Sequence, residues 1–192
     1  MKELDAVNML LRLIGSTPVN SLQAPHPDVA NALTTLRRVS DQLQQKGWWF
    51  NLDYNIVMTP NSEKDIKFAS TIVSAKTCDT ALIKRGDRLY NRAKQTYKFD
   101  APVTLERVTR LLEWDELPET MKTYCAYFAA AEFVRDELED QAKQDDLNSS
   151  AQRALIEVNA QELDEGNHNM FDKARVRRAR YGTRPYNLGM YQ

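Results

Sequence analysis

Side chains that could carry out catalysis are few in this sequence of 192 residues, and they are scattered. His26 lies between two prolines and His168 between two asparagines, and neither has metal-ligand spacing or a nearby Gly-x-Ser-x-Gly elbow. Glu113, Asp115 and Glu116 could act as the paired carboxylates of a glycoside hydrolase. Clusters of this kind arise by chance among 27 acidic residues, so we predict no catalytic residue, no metal site and no cofactor.

The cysteines and the apolar segments indicate where the chain is made. Cys78 and Cys125 are isolated and have no CxxC partner, which disfavours a disulfide framework and fits a reducing compartment. Glu3, Asp5 and Arg12 interrupt what would otherwise resemble a signal peptide. No stretch approaches the roughly 20 apolar residues of a membrane span. We therefore expect a soluble protein, synthesised in the cytoplasm.

Charge is distributed unevenly, although the net charge is only −1. Residues 132–165 contain eleven acidic and three basic residues, a local net charge of −8. Residues 173–192 contain six basic residues and no acidic one. An acidic helical region followed by a basic tail is typical of interacting surfaces. A purely solubilising role for each patch is the alternative.

Helical periodicity predicts two helices before residue 48. Apolar residues recur at three- and four-residue spacing from Leu4 to Ile14, and Gly15 is placed as a C-terminal cap. Asp28 is predicted to cap a second helix, whose apolar stripe extends to Leu43.

Two more helices are predicted after residue 113. Pro118 is well placed in a first helical turn, and the residues after it form two apolar stripes, which is typical of a central bundle helix. A last helix is predicted from about Ser149 to Leu163, closed by Gly166 and Asn167.

Apolar residues occupy every second position from Trp48 to Met58, which predicts a half-buried strand whose buried face includes Tyr54. Trp48 is then a core residue, and Trp49 points to the opposite, polar face. A large apolar side chain on a polar face indicates a contact between subunits, so Trp49 is our candidate for one. Packing under a neighbouring element is the alternative.

Weaker signals predict three further β segments. These are a strand at residues 68–75, a hairpin at 81–90 and a strand at 103–112. The hairpin would turn at Arg85-Gly86-Asp87, and this turn explains the tripeptide better than a cell-adhesion motif does.

The order helix, helix, sheet, helix, helix predicts an α+β fold: a four-helix unit with a small antiparallel β domain inserted between helices 2 and 3. The predicted divisions are residues 1–47 and 114–170 for the two halves of the helical unit and 48–113 for the β domain. Residues 171–192 form a basic C-terminal arm.

Three segments in this order resemble one family. They are LLRLIGSTPVNSL at residues 10–22, KGWWFN at 46–51 and LPETMKTYCAYFAAAEF at 117–133. Together they are similar to the tail tubular protein A family of short-tailed, double-stranded-DNA bacteriophages, over roughly residues 4–165.

The resemblance implies a non-enzymatic virion protein at the head–tail junction. Members form a ring, usually of twelve copies, beneath the portal protein. The ring seats the tail nozzle (tail tubular protein B) and the tail fibres. It also extends the channel through which genomic DNA leaves, without sequence-specific binding. A ring of this kind needs two complementary surfaces on each subunit.

Within this scheme, the basic arm is the candidate for docking onto the portal, because arginine and tyrosine are enriched in interface cores. The candidate contact residues are Arg175, Arg177, Arg178, Arg180, Tyr181, Arg184 and Tyr186. An acidic groove on the portal is the preferred acceptor, the acidic helical face of the next subunit is second, and a terminus without a partner is the alternative.

Two other functions compete with the adaptor. One is a tail-associated polysaccharide hydrolase, but the sequence shows no set of polar residues that would converge in a pocket. The other is a DNA-binding module that uses the basic tail, but the whole chain has a pI of about 6.2 and is not basic.

Overall fold

The computed structural model describes residues 1–165, in which the chain forms four helices and five strands. The helices are α1 (Glu3–Leu13), α2 (Pro27–Gln44), α3 (Glu119–Leu138) and α4 (Gln141–Glu165). The strands are β1 (Leu52–Met58), β2 (Ile72–Lys76), β3 (Leu82–Arg85), β4 (Arg88–Asn91) and β5 (Val103–Arg110). All five strands lie between α2 and α3, so the predicted α+β fold, with a β domain between helices 2 and 3, is confirmed. We call α1–α4 the helical unit.

The ends of the first two helices follow simple backbone chemistry. Gly15 follows α1 with a φ of +78°, a conformation that costs glycine little. The prediction that Asp28 caps α2 is wrong. His26 is the capping residue, because its Nδ1 accepts the backbone N–H of Asp28 at 3.3 Å. Pro27 occupies the first turn, where its missing N–H leaves no bond unmade.

Helix α3 is the centre of the helical unit, as its two apolar stripes predicted, and it packs against each of the other three helices. It ends at Glu139, which has a φ of +52°, and the Asp140 carboxylate accepts the N–H of Lys143 at the start of α4. Helix α4 therefore begins at Gln141, well before the predicted Ser149. Its first turns are polar and carry no apolar periodicity that could reveal them.

Two separate clusters of buried side chains form the core. The larger one joins all four helices and includes Trp48 and Trp114. Both indole N–H groups have acceptors, the carbonyls of Leu43 at 2.8 Å and Met1 at 3.1 Å, as buried tryptophans require. The smaller cluster lies in the β domain and comprises Ile66, Phe68, Ile72, Leu89, Phe99, Leu105 and Val108.

The β domain contains two antiparallel sheets. One has the order β1-β5-β2, and the other is the β3–β4 hairpin. The predicted hairpin is confirmed: Gly86 and Asp87 form a two-residue turn, and Gly86 has a φ of +61°. The strand predicted at 103–112 is confirmed as β5, whereas the one predicted at 68–75 is shorter and later, as β2.

The predicted strand from Trp48 to Met58 is correct only from Leu52 onward. Residues 49–51 form a short 3₁₀ turn, held by the Asn51 side chain. Its Oδ1 accepts the Trp48 N–H at 2.8 Å, and its Nδ2 donates to the carbonyls of Gln44 and Arg110, both at 2.9 Å. Trp48 is buried as predicted. Tyr54, predicted to be buried, is 59% exposed.

Candidate subunit interfaces

Trp49, the predicted subunit contact, lies where the helical unit meets the β domain. Its ring is half-buried and packs edge-on against Phe50, with 5.0 Å between ring centres. Both rings pack against the helical core. Trp49 therefore has a partner within its own chain but also keeps an exposed part.

The exposed part of Trp49 faces a groove of about 320 Å³ between the start of β1 and the end of α4. The lining residues are Gly47, Trp49, Leu52, Tyr54, Arg107, Glu162 and Glu165. The groove thus combines aromatic rings with two carboxylates and one guanidinium. Such a surface suits a protein partner that carries apolar and basic side chains.

A second groove, of about 390 Å³, lies between α1, α2 and the exit from β5. Arg37 donates to both carboxylate oxygens of Glu3, at 2.8 and 3.1 Å, and this bond raises the pKa of Arg37. Burial, with a further contribution from the nearby Glu113, raises the pKa of Asp41. The groove thus brings three carboxylates around one guanidinium, and it carries excess negative charge.

The third groove, of about 540 Å³, lies between α3 and α4. Tyr124 and Phe128 form its aromatic wall, with 6.0 Å between ring centres. Burial raises the pKa of Tyr124, so its hydroxyl stays neutral at physiological pH. Asp145, Asn148 and Gln152 supply polar groups from α4. This groove presents hydrogen-bonding groups and aromatic surface but no activated nucleophile.

The outward side of α4 carries apolar side chains on an otherwise acidic helix. Ile156 is 68% exposed and Leu163 is 65% exposed. Ala160 lies between them, and the spacing of four and three residues places the three on one stripe. Glu157 and Asp164 follow Ile156 and Leu163 directly in sequence and are also exposed. This apolar stripe with an acidic edge is a candidate contact surface.

The outward side of the β3–β4 hairpin carries arginine and tyrosine. The guanidinium carbon of Arg85 lies 3.8 Å from the ring centre of Tyr90, and that of Arg88 lies 4.3 Å from the ring centre of Tyr97. The two rings are 4.7 Å apart. We call these four residues the arginine–tyrosine ladder. Arginine and tyrosine are among the residues most enriched in interface hot spots.

One of the three carboxylates singled out from the sequence, that of Glu116, has a structural partner. The Glu116 carboxylate accepts the backbone N–H of Glu113 at 3.1 Å, across a 3₁₀ turn that includes Asp115. His26 caps α2, as described above, and His168 lies outside the described residues. Within residues 1–165, no group of three or more His, Cys, Asp or Glu side chains is arranged to hold a metal ion. No helix in this part of the chain is both long and apolar enough to cross a membrane.

The two cysteines are both free thiols. Cys78 is exposed in a loop of the β domain, and Cys125 is buried in the helical core. Burial raises the pKa of the Cys125 thiol to about 12, and a hydrogen bond with Ser40 opposes this in part. At neutral pH the Cys125 sulfur is therefore a protonated core group and not a nucleophile.

Comparison with known proteins assigns the chain. A family model described as tail tubular protein matches residues 4–171. The chain belongs to the tail tubular protein family. It is also 30% identical over 140 residues to Tail tubular protein A of Klebsiella phage KP34, covering 72% of this chain and 74% of that protein. This tail tubular protein is thus a structural component of the phage tail.

The contact residues proposed from the sequence stay predictions. The arm residues Arg175 to Tyr186 lie outside the described residues, so their role stays a prediction. Trp49 lies at a groove of its own chain, and its contact with a neighbouring subunit also stays a prediction. The sequence analysis missed the arginine–tyrosine ladder, although the predicted hairpin turn places Arg85 opposite Arg88 and Ile83 opposite Tyr90. It also missed the outward stripe on α4.

Proposed function

We propose that this protein is a head-to-tail adaptor subunit. Copies form a closed ring of about twelve, joined by heterologous contacts. The ring docks beneath the portal protein, seats the tail nozzle and the fibres, and continues the channel through which DNA leaves the head. Its activity is assembly, and it needs no cofactor.

The family match over residues 4–171 is the observation that supports this proposal, since the similar protein of Klebsiella phage KP34 is named Tail tubular protein A. The chemistry of the surfaces agrees with it. A heterologous ring requires two different surfaces on each copy that fit one another. The subunit has a stripe with an acidic edge on α4 and a basic ladder on the hairpin. These two surfaces are different and carry opposite charge.

Trp49 is proposed to contact the neighbouring subunit through its exposed part. Trp49→Ala should then weaken ring assembly. Because the Trp49 side chain also packs on Phe50 and the helical core, the variant should be somewhat less stable, so ring yield is compared at a temperature at which circular dichroism shows both proteins fully folded. Leu138→Ala is the matched control, because Leu138 is also an exposed apolar residue. Equal ring assembly by the two variants would show that Trp49 does not contribute to the subunit interface.

The basic arm is proposed to dock onto an acidic surface of the portal. Truncation after Asp172 should leave the fold intact and weaken portal binding. Replacing only the arginines Arg175, Arg177, Arg178, Arg180 and Arg184 with glutamine should slow association and flatten its dependence on salt. Undiminished portal binding by the truncated protein would show that the arm has no docking role.

The adaptor function as a whole is tested by mixing the purified protein with its portal. Electron micrographs and native mass spectrometry should show a closed ring on one face of the portal. A protein that remains monomeric or dimeric in the presence of portal would contradict the proposal. Hydrolysis of host polysaccharide that is abolished by Glu116→Gln, with the fold intact, would instead establish an enzyme.

A further inference from the structure

The ladder on the hairpin is ordered before any partner binds. The hairpin register pairs Arg85 with Arg88 and Ile83 with Tyr90, so Ile83 lies on the same side of the hairpin as three members of the ladder. Leu89 lies on the other side, buried in the β-domain core. Stacking on tyrosine restricts each guanidinium but leaves its N–H edges free to donate. Side chains held in this way lose less entropy on binding than free arginines do.

The charge of this region is strongly positive. Residues 81–99 contain six basic residues and one acidic residue, Asp87. Arg88 has carboxylate partners, with Asp65 at 3.4 Å and Asp87 at 3.9 Å. Arg85 forms no salt bridge with any group in residues 1–165. The end of the ladder at Arg85 therefore offers a preordered cation to an external anion.

The outward stripe of α4 has the opposite chemistry. Ile156, Ala160 and Leu163 form an apolar centre, with Glu157 and Asp164 beside it. Neither carboxylate forms a salt bridge within the described residues. Leaving Ile156 and Leu163 exposed forgoes the hydrophobic stabilisation that their burial would provide. The stripe therefore calls for a partner with apolar surface at its centre and positive charge at its edge.

We propose that the outward stripe of α4 on one copy packs against the arginine–tyrosine ladder on the next copy. The tyrosine rings and Ile83 cover the apolar centre of the stripe. Arg85 donates to the carboxylate of Glu157 or Asp164 at its edge. This inference rests on the proposed ring, and it specifies which two surfaces join the copies.

A second copy fits the ladder better than nucleic acid does. Binding to single strands uses aromatic faces on which bases can stack, and here each tyrosine ring faces a guanidinium and the other tyrosine. A phosphate backbone would pair with Arg85 but would leave the apolar stripe of α4 uncovered. The ladder requires a partner with acidic and apolar groups, whereas the α4 stripe requires one with basic and apolar groups. A second copy of this chain supplies both.

A charge-swap experiment on the full chain tests the inference. Arg85→Glu and Glu157→Arg should each reduce the yield of rings on the portal by about tenfold, because each places like charges across the contact. The double variant Arg85→Glu/Glu157→Arg should recover most of the wild-type yield. Lys76→Glu and Glu106→Arg are the controls, since they make the same changes of charge at exposed positions outside both surfaces. They should assemble normally.

The exposed apolar residues provide an independent variant that cannot disturb the core. Leu163→Gln should reduce ring yield without changing the thermal midpoint, because Leu163 is 65% exposed in the single copy. Normal rings from Arg85→Glu, Glu157→Arg and Leu163→Gln would overturn the inference and leave the adaptor function standing. If the wild type forms no ring with its portal, the proposed function and the inference both fail.

Binding of a 30-base-pair DNA duplex, followed by fluorescence anisotropy, tests the nucleic-acid alternative. The inference predicts that wild type and Arg85→Glu differ little. The opposite result is tight DNA binding by the wild type that Arg85→Glu abolishes and that the double variant does not restore. This result would show that the ladder binds DNA, and it would overturn the inference.

Discussion

Gln44 and Leu112 are joined by a pair of hydrogen bonds that resembles a step of a β ladder. The Gln44 side chain donates from Nε2 to the Leu112 carbonyl at 3.1 Å, and its Oε1 accepts the Leu112 N–H at 2.8 Å. Gln44 is the last residue of α2 and is fully buried. One amide thus connects the point where the chain leaves the helical unit to the point where it returns.

Gln44→Leu should destabilise the protein by about 2–4 kcal/mol, because it leaves the partly buried N–H and carbonyl of Leu112 without these partners. Urea denaturation followed by tryptophan fluorescence measures the change. Gln45→Leu is the control: Gln45 is the next residue and is exposed, so its replacement should change the free energy of unfolding little. Equal effects would show that the amide pair is not important for stability.

Gly47→Ala should cost more stability than Gly15→Ala, although both glycines have a φ of +78°. At Gly15 an added Cβ meets open space, so only the left-handed backbone is penalised, by roughly 1–2 kcal/mol. At Gly47 the Cβ would lie 3.1 Å from Leu52 Cδ2 and 3.3 Å from Thr109 Oγ1, which adds a steric cost. Thermal midpoints of the two variants provide the comparison. A larger fall in the thermal midpoint for Gly15→Ala would contradict this account of the packing around Gly47.

The sequence was sufficient to predict the order of elements and the hairpin, because these depend on local periodicity and turn residues. It was not sufficient to predict the junction between the helical unit and the β domain. Gln44 and Asn51 are ordinary polar residues in the sequence, and their buried bonds depend on segments 59–68 residues away. Tyr54 follows the alternation of a buried strand, yet it is exposed, and the next residue, Asn55, departs from regular strand geometry with a φ of +55°.

The candidate contact surfaces were harder to predict for the same reason. The exposure of Ile156 and Leu163 becomes visible only when α4 packs on α3 through Leu147, Ala151 and Val158. Apolar residues occur on both sides of α4, so periodicity alone does not show which side remains outside.

The native protein should expose one reactive thiol. Cys78 is exposed, whereas burial raises the pKa of Cys125 to about 12. Titration with a thiol-specific chromogenic reagent at pH 8 should therefore detect one group per chain in the native protein and two in urea. Cys78→Ser should abolish the native signal. Two reactive thiols without denaturant would contradict the packing of the helical core.

Acid should weaken the β domain through Asp65. Its carboxylate is almost fully buried, 3.1 Å from Lys98 Nζ, and this partner lowers the pKa of Asp65, with a smaller contribution from Arg88. A lowered pKa in the folded state means that the ion pairs stabilise the protein above the unfolded pKa of about 3.9, and that this stability disappears as the pH falls below it.

Asp65→Asn should therefore be less stable than the wild type at pH 7, and the difference should shrink toward pH 3. Urea midpoints measured across this range provide the test. Asp146→Asn, which changes an exposed carboxylate on α4, should show a much smaller pH-dependent difference. A difference between wild type and Asp65→Asn that is constant with pH would show that the ion pairs are not responsible.

The bonds between Gln44 and Leu112 span 68 positions of the chain, and this separation has a consequence for folding kinetics. Before α2 can pack on α3, the chain between them must close a long loop, and the entropic cost of closure grows with loop length. A folded β domain holds its own ends together through β1 and β5 and replaces that long loop with a short, stiff one. The β domain should thus form early, and a core variant such as Leu105→Ala should slow the packing of helices that Leu105 does not touch.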